Sequence, residues 1–190
     1  MLHKTASPEP VAPDSKIKRF DRHSIQNFQF DGRISIQQPG MSVHLDVSWQ
    51  HQPTSDEILL TGPFGQGVAE MTRDVTGAQI RTADGKIYRA ANWGDLAKET
   101  IGLPLPLAEL DRWVVADVAA TSSDALGRPL KAKENGWQVD YLSYVSAQAD
   151  ALPNSIYLQS DNLEIRLKID QWQLNPPKVT ATPTQAPSSL

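Results

Sequence analysis

The sequence predicts an α+β protein: one large antiparallel sheet, apolar on one face and wet on the other, covered by three helices. Three observations predict it. Met41, Val43, Leu45, Val47 and Trp49 alternate with Ser42, His44, Asp46 and Ser48, the period-two pattern of a half-buried strand. Gln38-Pro39-Gly40, Asp84-Gly85 and Asn135-Gly136 are turn formers set between apolar runs, which reads as a series of hairpins. Elsewhere the apolar spacing changes to three and four, the period of a helix packed on one face.

The elements follow in order. Asp14 or Ser15 caps a first helix, with Ile17, Phe20, Ser24 and Phe28 on one face and Lys16, Lys18, Arg19, Asp21 and Arg22 between them. Phe28, Phe30, Ile34 and Ile36 then share one strand parity around Gly32, and the turn at 38–40 leads into the 41–49 strand. Residues 52–56 read as a loop. Ile58-Leu59-Leu60 opens a strand that stops at Gly62-Pro63-Phe64-Gly65-Gln66-Gly67, and short strands follow around 69–72, 79–83 and 86–90. Asn92 caps a second helix whose Trp93, Leu96, Ala97, Thr100 and Ile101 share a face, with Gly102 closing it. The stiff Leu103-Pro104-Leu105-Pro106 leads to a third, with Pro106 as its first residue and Leu107, Leu110, Trp113 and Val114 facing inward. Residues 117–128 read as a loop. Strands at 130–133 and 137–145 flank Glu134-Asn135-Gly136; those at 155–159 and 163–174 flank Ser160-Asp161-Asn162. In the last strand Leu163, Ile165, Leu167 and Ile169 face one way, whereas Trp172 and Leu174 have the opposite parity, which predicts a bulge near Asp170-Gln171.

The chain has 190 residues, enough for one domain. Three of its fourteen prolines lie in 1–15 and four in 175–190, with all eleven glycines between. Both ends are poor in large apolar side chains, so the expected organisation is a flexible Pro-rich tether over 1–15, a folded domain over 16–174 and a flexible tail over 175–190. A net charge of −4 and a pI of about 5.5 oppose a groove that tracks nucleic-acid backbone. The absence of cysteine removes disulfides, thiolate chemistry and Cys-ligated metals. No apolar run approaches the ~20 residues of a membrane-spanning helix, and no signal-peptide apolar stretch precedes the body of the chain.

No catalytic motif survives inspection, and no enzyme activity, metal or cofactor is expected. His3, His23, His44 and His51 include no i, i+4 pair, and there is no Gly-x-Ser-x-Gly elbow. The glycine-rich 62–67 segment lacks the Lys-Ser/Thr pair of a phosphate loop, and Glu109 and Asp111 do not share a helix face. Phe64 at the tip of that segment has two readings: a loop aromatic folded back on the core, or an apolar finger for a membrane or partner. Trp49, Trp113, Trp137 and Trp172 leave a similar choice between simple core and the wall of a site.

An ordered set of motifs narrows these choices. Phe30-Asp31-Gly32-Arg33-Ile34, Trp49-Gln50, Leu59-Leu60-Thr61-Gly62-Pro63-Phe64-Gly65 and Gly102-Leu103-Pro104-Leu105-Pro106-Leu107 are followed by Leu110 and Trp113. Gly136-Trp137-Gln138-Val139, Tyr141, Tyr144, Leu152-Pro153 and Leu167-Lys168-Ile169-Asp170-Gln171-Trp172 complete it. From about 20 to 174 the chain resembles the LolB family of outer-membrane lipoprotein receptors. The resemblance implies an unclosed antiparallel β half-barrel of roughly eleven strands with a helical lid over an apolar cavity for lipoprotein acyl chains. It implies a LolA-like periplasmic carrier as donor, the inner leaflet of the outer membrane as destination, and a monomer at the periplasmic face. The family's exposed apolar loop residue maps onto Phe64, so Gly62, Pro63, Phe64 and Gly65 become the expected membrane-insertion loop. The family also implies an anchor on an N-terminal lipidated cysteine. This chain has none, and as a Cys-free chain it is expected to be soluble.

Shared parity and helix faces then nominate the cavity wall. Met41, Val43, Leu45, Val47, Trp49, Leu163, Ile165, Leu167 and Ile169 are expected on the sheet side, and Leu96, Ile101, Leu110, Trp113 and Val114 on the lid side. Two other functions fit such a fold: a soluble LolA-like carrier, which the missing cysteine favours and the Phe64 loop opposes, and a structural envelope protein whose barrel is merely packed. A lipid-processing enzyme would need a nucleophile–base pair that the sequence does not offer.

Overall fold

The computed structural model describes residues 20–100 and 105–175. The Pro-rich ends, the start of the first expected helix, Ile101, Gly102, Leu103 and Pro104 therefore lie outside the described residues.

Eleven strands form one antiparallel sheet. They are β1 (Phe28–Gln38), β2 (Met41–Gln52), β3 (Ser55–Thr61), β4 (Gly67–Asp74), β5 (Gly77–Thr82), β6 (Ile87–Ala90), β7 (Ala120–Ser123), β8 (Pro129–Glu134), β9 (Trp137–Tyr144), β10 (Pro153–Ser160) and β11 (Leu163–Leu174). Their spatial order is β6-β5-β4-β3-β2-β1-β11-β10-β9-β8-β7. Every neighbour is a sequence neighbour except β1 and β11, which join the two meanders at the centre. The edges of this unclosed sheet, β6 and β7, are consecutive in the chain. The link between them carries α1 (Trp93–Thr100) and α2 (Leu110–Val114), so connectivity alone places both helices across the open seam.

The expected turns form where local chemistry demands them. Asn135 and Gly136 take φ of 50° and 81°, the paired left-handed conformation of a two-residue hairpin turn. Asn92 caps α1 by accepting from the Asp95 backbone N–H at 3.0 Å, while its amide donates to the Asp95 carboxylate at 2.8 Å. The predicted bulge is present: Asp31 pairs with Gln171 and Gly32 with Ile169, which leaves Asp170 unmatched. Gly32 is required there, because a Cβ would stand 2.3 Å from the Lys168 carbonyl oxygen.

Four expectations are corrected. Residues 20–27 contain only a 3-10 turn over Arg22–Ser24, and Phe28 belongs to β1. The amphipathic spacing gave way to Phe28 packing against Phe30, Trp49 and Trp172, with ring centroids 5.4–6.3 Å away. Arg22, expected on a wet helix face, is buried and donates to the carbonyls of Val115 at 3.0 Å and Ala151 at 2.9 Å. The loops at 52–56 and 117–128 are shorter than expected, since β3 begins at Ser55 and β7 occupies 120–123. Pro106 does not open α2; it accepts from the backbone N–H groups of Glu109 and Leu110 in a turn ahead of that helix.

Candidate functional site

The inner face of the sheet, α2 and the segment ahead of it bound an apolar cavity of about 280 Å³. Period-two parity brings Met41, Val43, Leu45, Val47 and Trp49 of β2 to its wall, with Ile165 and Leu167 of β11 beside them. From above come Leu110 and Val114 of α2. At the Met41–Leu45 end these side chains are only half-buried, whereas Val47 and Trp49 are buried, so the wall opens toward the start of β2.

Other nominated residues lie elsewhere. Leu163 sits at the hairpin end of β11 opposite Ser160, and Ile169 sits opposite Gly32 beside the aromatic cluster; both are buried but outside the cavity wall. Leu96 is buried on α1, which packs on β5 and β6. Trp113 faces away, toward β8 and β9: its indole N–H donates to Glu134 at 3.1 Å and its ring lies 6.4 Å from Trp137. Parity identifies the inner face but not how far the void extends along it. Sequence reading passed over Ile58, Leu60, Ala69, Met71 and Ile80, which line the wall from β3, β4 and β5, and Leu105 and Leu107 ahead of α2. Their strand alternation was visible, but the strands are short and interrupted by charges.

A buried polar cluster fixes one rim. Asp56 on β3 is 5% exposed and accepts from Trp49 Nε1 at 2.9 Å, Trp93 Nε1 at 3.2 Å and Arg73 Nε at 2.5 Å. His51 Nδ1 lies 2.6 Å from the same carboxylate, and His51 Nε2 is 4.0 Å from Asp111 on α2. Burial alone would raise the Asp56 pKa. Hydrogen bonding and charge from His51, with Trp49 and Arg73, outweigh burial and hold it below the ordinary carboxylate value. The cluster ties β2, β3 and β4 to the first residue of α1. Nothing in the sequence announced it, because 52–56 read as a loop.

The 62–65 loop joins β3 to β4. Leu60 and Ala69, a cross-strand pair in the cavity wall, stand at its root. Gly62 N–H donates to the Gln66 carbonyl at 2.8 Å, Gly65 N–H to the Gly62 carbonyl at 2.9 Å, and Phe64 N–H to Gln66 Oε1 at 3.1 Å. Gly65 has φ of 76°, which the tight turn requires. This closed loop leaves Phe64 95% exposed, so the aromatic ring is not folded back on the core.

The family model described as outer membrane lipoprotein LolB matches residues 26–172, from just ahead of β1 to near the end of β11. The chain belongs to the LolB family. Similar proteins include the outer-membrane lipoprotein LolB of Azoarcus sp. (strain BH72), 32% identical over 92% of this chain and 90% of that one. The LolB of Thiobacillus denitrificans (strain ATCC 25259 / T1) is 37% identical over 76% and 79%. Among solved structures, a LolA-superfamily protein of Nitrosomonas europaea shares the fold, with a TM-score of 0.50 and 11% identity over 83% of this chain and 89% of that one. Membership in the LolB family places the chain in lipoprotein localisation at the outer membrane of Gram-negative bacteria.

Proposed function

We propose that the apolar cavity takes up the acyl chains of lipoproteins delivered by a LolA-like periplasmic carrier. The protein then releases those lipoproteins into the inner leaflet of the outer membrane, with Phe64 as the insertion finger. The observation that carries this reading is the cavity wall, lined by apolar residues of β1 to β5, β10 and β11 and roofed by α2. Burying a methylene is worth ~0.8 kcal/mol, so a sixteen-carbon chain left in water forgoes ~12 kcal/mol. A receiver with a dry wall offsets that cost, and a bilayer offsets it further, so transfer runs downhill without a nucleotide. The protein acts as a monomer and as a binding protein rather than an enzyme. A cavity of about 280 Å³ stands at the low end of the ~300–1,000 Å³ common for small-molecule pockets. Acyl chains enlarge it by displacing α2 and the Leu105–Leu107 segment, which make up its roof.

A brominated fatty acid tests the cavity, because Trp49 stands in its wall. Quenching of tryptophan emission, reversed by a triacylated lipoprotein, is expected. Absence of quenching would show a packed barrel. For the finger, Phe64→Glu is expected to accept lipoprotein from the carrier yet fail to deliver it to liposomes; normal delivery by that variant would refute the role.

A further inference from the structure

We infer a second lipid contact: a groove on the outer face of the sheet that binds the phosphate of anionic phospholipid headgroups at the membrane surface. This inference rests on the reading of Phe64 as the membrane finger and gives that finger an orientation.

The groove, of about 550 Å³, is lined by outer-face side chains of β1, β2 and β11 and by Ile34, Leu45 and Leu167, which it shares with the cavity wall. Arg33 of β1, His44 and Asp46 of β2, Arg166 and Lys168 of β11 line it, and all have the strand parity opposite to the cavity wall. Pro63 forms one rim, so the adjoining Phe64 projects from the edge of the groove. The exposed Leu142 of β9 also lines it, which suits an amphipathic ligand.

The charges are placed against the interest of the sheet. Arg33 is directly opposite Lys168, and like charges across a strand pair are destabilising. Asp46 faces Arg33 from the other side, and Asp170 accepts from Arg33 at 2.9 Å and 3.1 Å. Those acids satisfy Arg33. Arg166 lies 4.0 Å from Glu164 and over the Tyr157 ring, with its side chain 64% exposed. Lys168 makes no ion pair among the described residues. Arg166 and Lys168 on one strand are therefore available to an anion. The chain carries −4 overall and is repelled by an anionic surface in most orientations. A local cationic groove beside an apolar finger selects the one orientation in which both reach the bilayer.

Vesicle flotation of the full chain tests this, using phosphatidylethanolamine–phosphatidylglycerol vesicles against vesicles of phosphatidylcholine alone. The double variant Arg166→Gln, Lys168→Gln is expected to bind the anionic vesicles roughly fivefold more weakly for each charge removed, with binding to phosphatidylcholine unchanged. Arg166→Lys is expected to bind as the parent does. Phe64→Glu should weaken binding to both vesicle types. If Phe64→Glu binds normally while the double variant still loses the anionic vesicles, the groove stands and the finger falls. Unchanged binding by the double variant would overturn the groove. So would unchanged vesicle binding with lost acceptance from the carrier, which would assign the groove to carrier docking.

Discussion

The two meanders that meet at β1 and β11 bury their apolar faces in different ways. Around β8 and β9 the interior is packed: Ala132, Trp137, Val139 and Tyr141 join Trp113 in the buried core, and none of them lines the apolar cavity. Between β1 and β5 the same kind of alternating strand faces an apolar void. The helices are held accordingly. On the solid side α2 is stapled: Arg112 and Trp113 bond Glu134, Tyr141 Oη donates to the Trp113 carbonyl at 2.9 Å, and Asn135 reaches Glu109 at 3.1 Å. On the hollow side its polar approach is Asp111 to His51, at 4.0 Å. The roof is thus fixed along one edge and loose along the other. The hollow wall, lacking packing to fix it, is instead held by the Asp56 cluster.

The largest test of this contrast removes that cluster. Asp56→Ala strands His51 and Arg73 and leaves two indole N–H groups unpaired, and breaking a buried pair costs about 3–5 kcal/mol. Urea unfolding should show a loss of that size; a loss below 1 kcal/mol would mean packing alone holds the wall. Next come matched truncations. Val139→Ala, in the solid half, is expected to cost about 2–3 kcal/mol, whereas Val43→Ala, already beside a void, should cost under about 1 kcal/mol. Equal losses would erase the difference between the halves. Enlarging residues reverses the logic: Ala132→Leu should cost about 1–3 kcal/mol by overpacking, while Ala69→Leu grows into the cavity, leaves stability near the parent and weakens fatty-acid quenching. The gentlest test changes only pH. Because the folded Asp56 pKa is depressed, its contribution is complete above the unfolded value of about 4 and is lost as pH falls through the lower folded value. The urea midpoint should therefore drop below about pH 4 in the parent and drop less in Asp56→Ala.

Much of this organisation was written in local pattern. The β2 alternation, the hairpin at Asn135-Gly136, the Asn92 cap and the bulge at Asp170 each depend on a few adjacent residues, and each appears where the pattern put it. The Gly62–Gly65 turn was equally local, but whether Phe64 folded inward was not, since that depends on what lies beneath it. Among the described residues, the helix expected to run on to Phe28 is absent for the same reason: Phe28 found a better partner in a distant aromatic cluster.

Sequence alone determined every strand but β7, the hairpin turns and which strand side chains share a face, because those follow from backbone sterics and a period of two. Tertiary structure alone decided where the inner face is filled and where it is hollow. Trp113 and Val114 are adjacent on α2, yet Trp113 fills the solid half and Val114 roofs the void. It also decided that Asp56, His51, Arg73 and Trp93, spread over more than forty positions, share one buried site. Volume and long-range pairing are properties of surfaces brought together, and no local pattern records the distance between two walls.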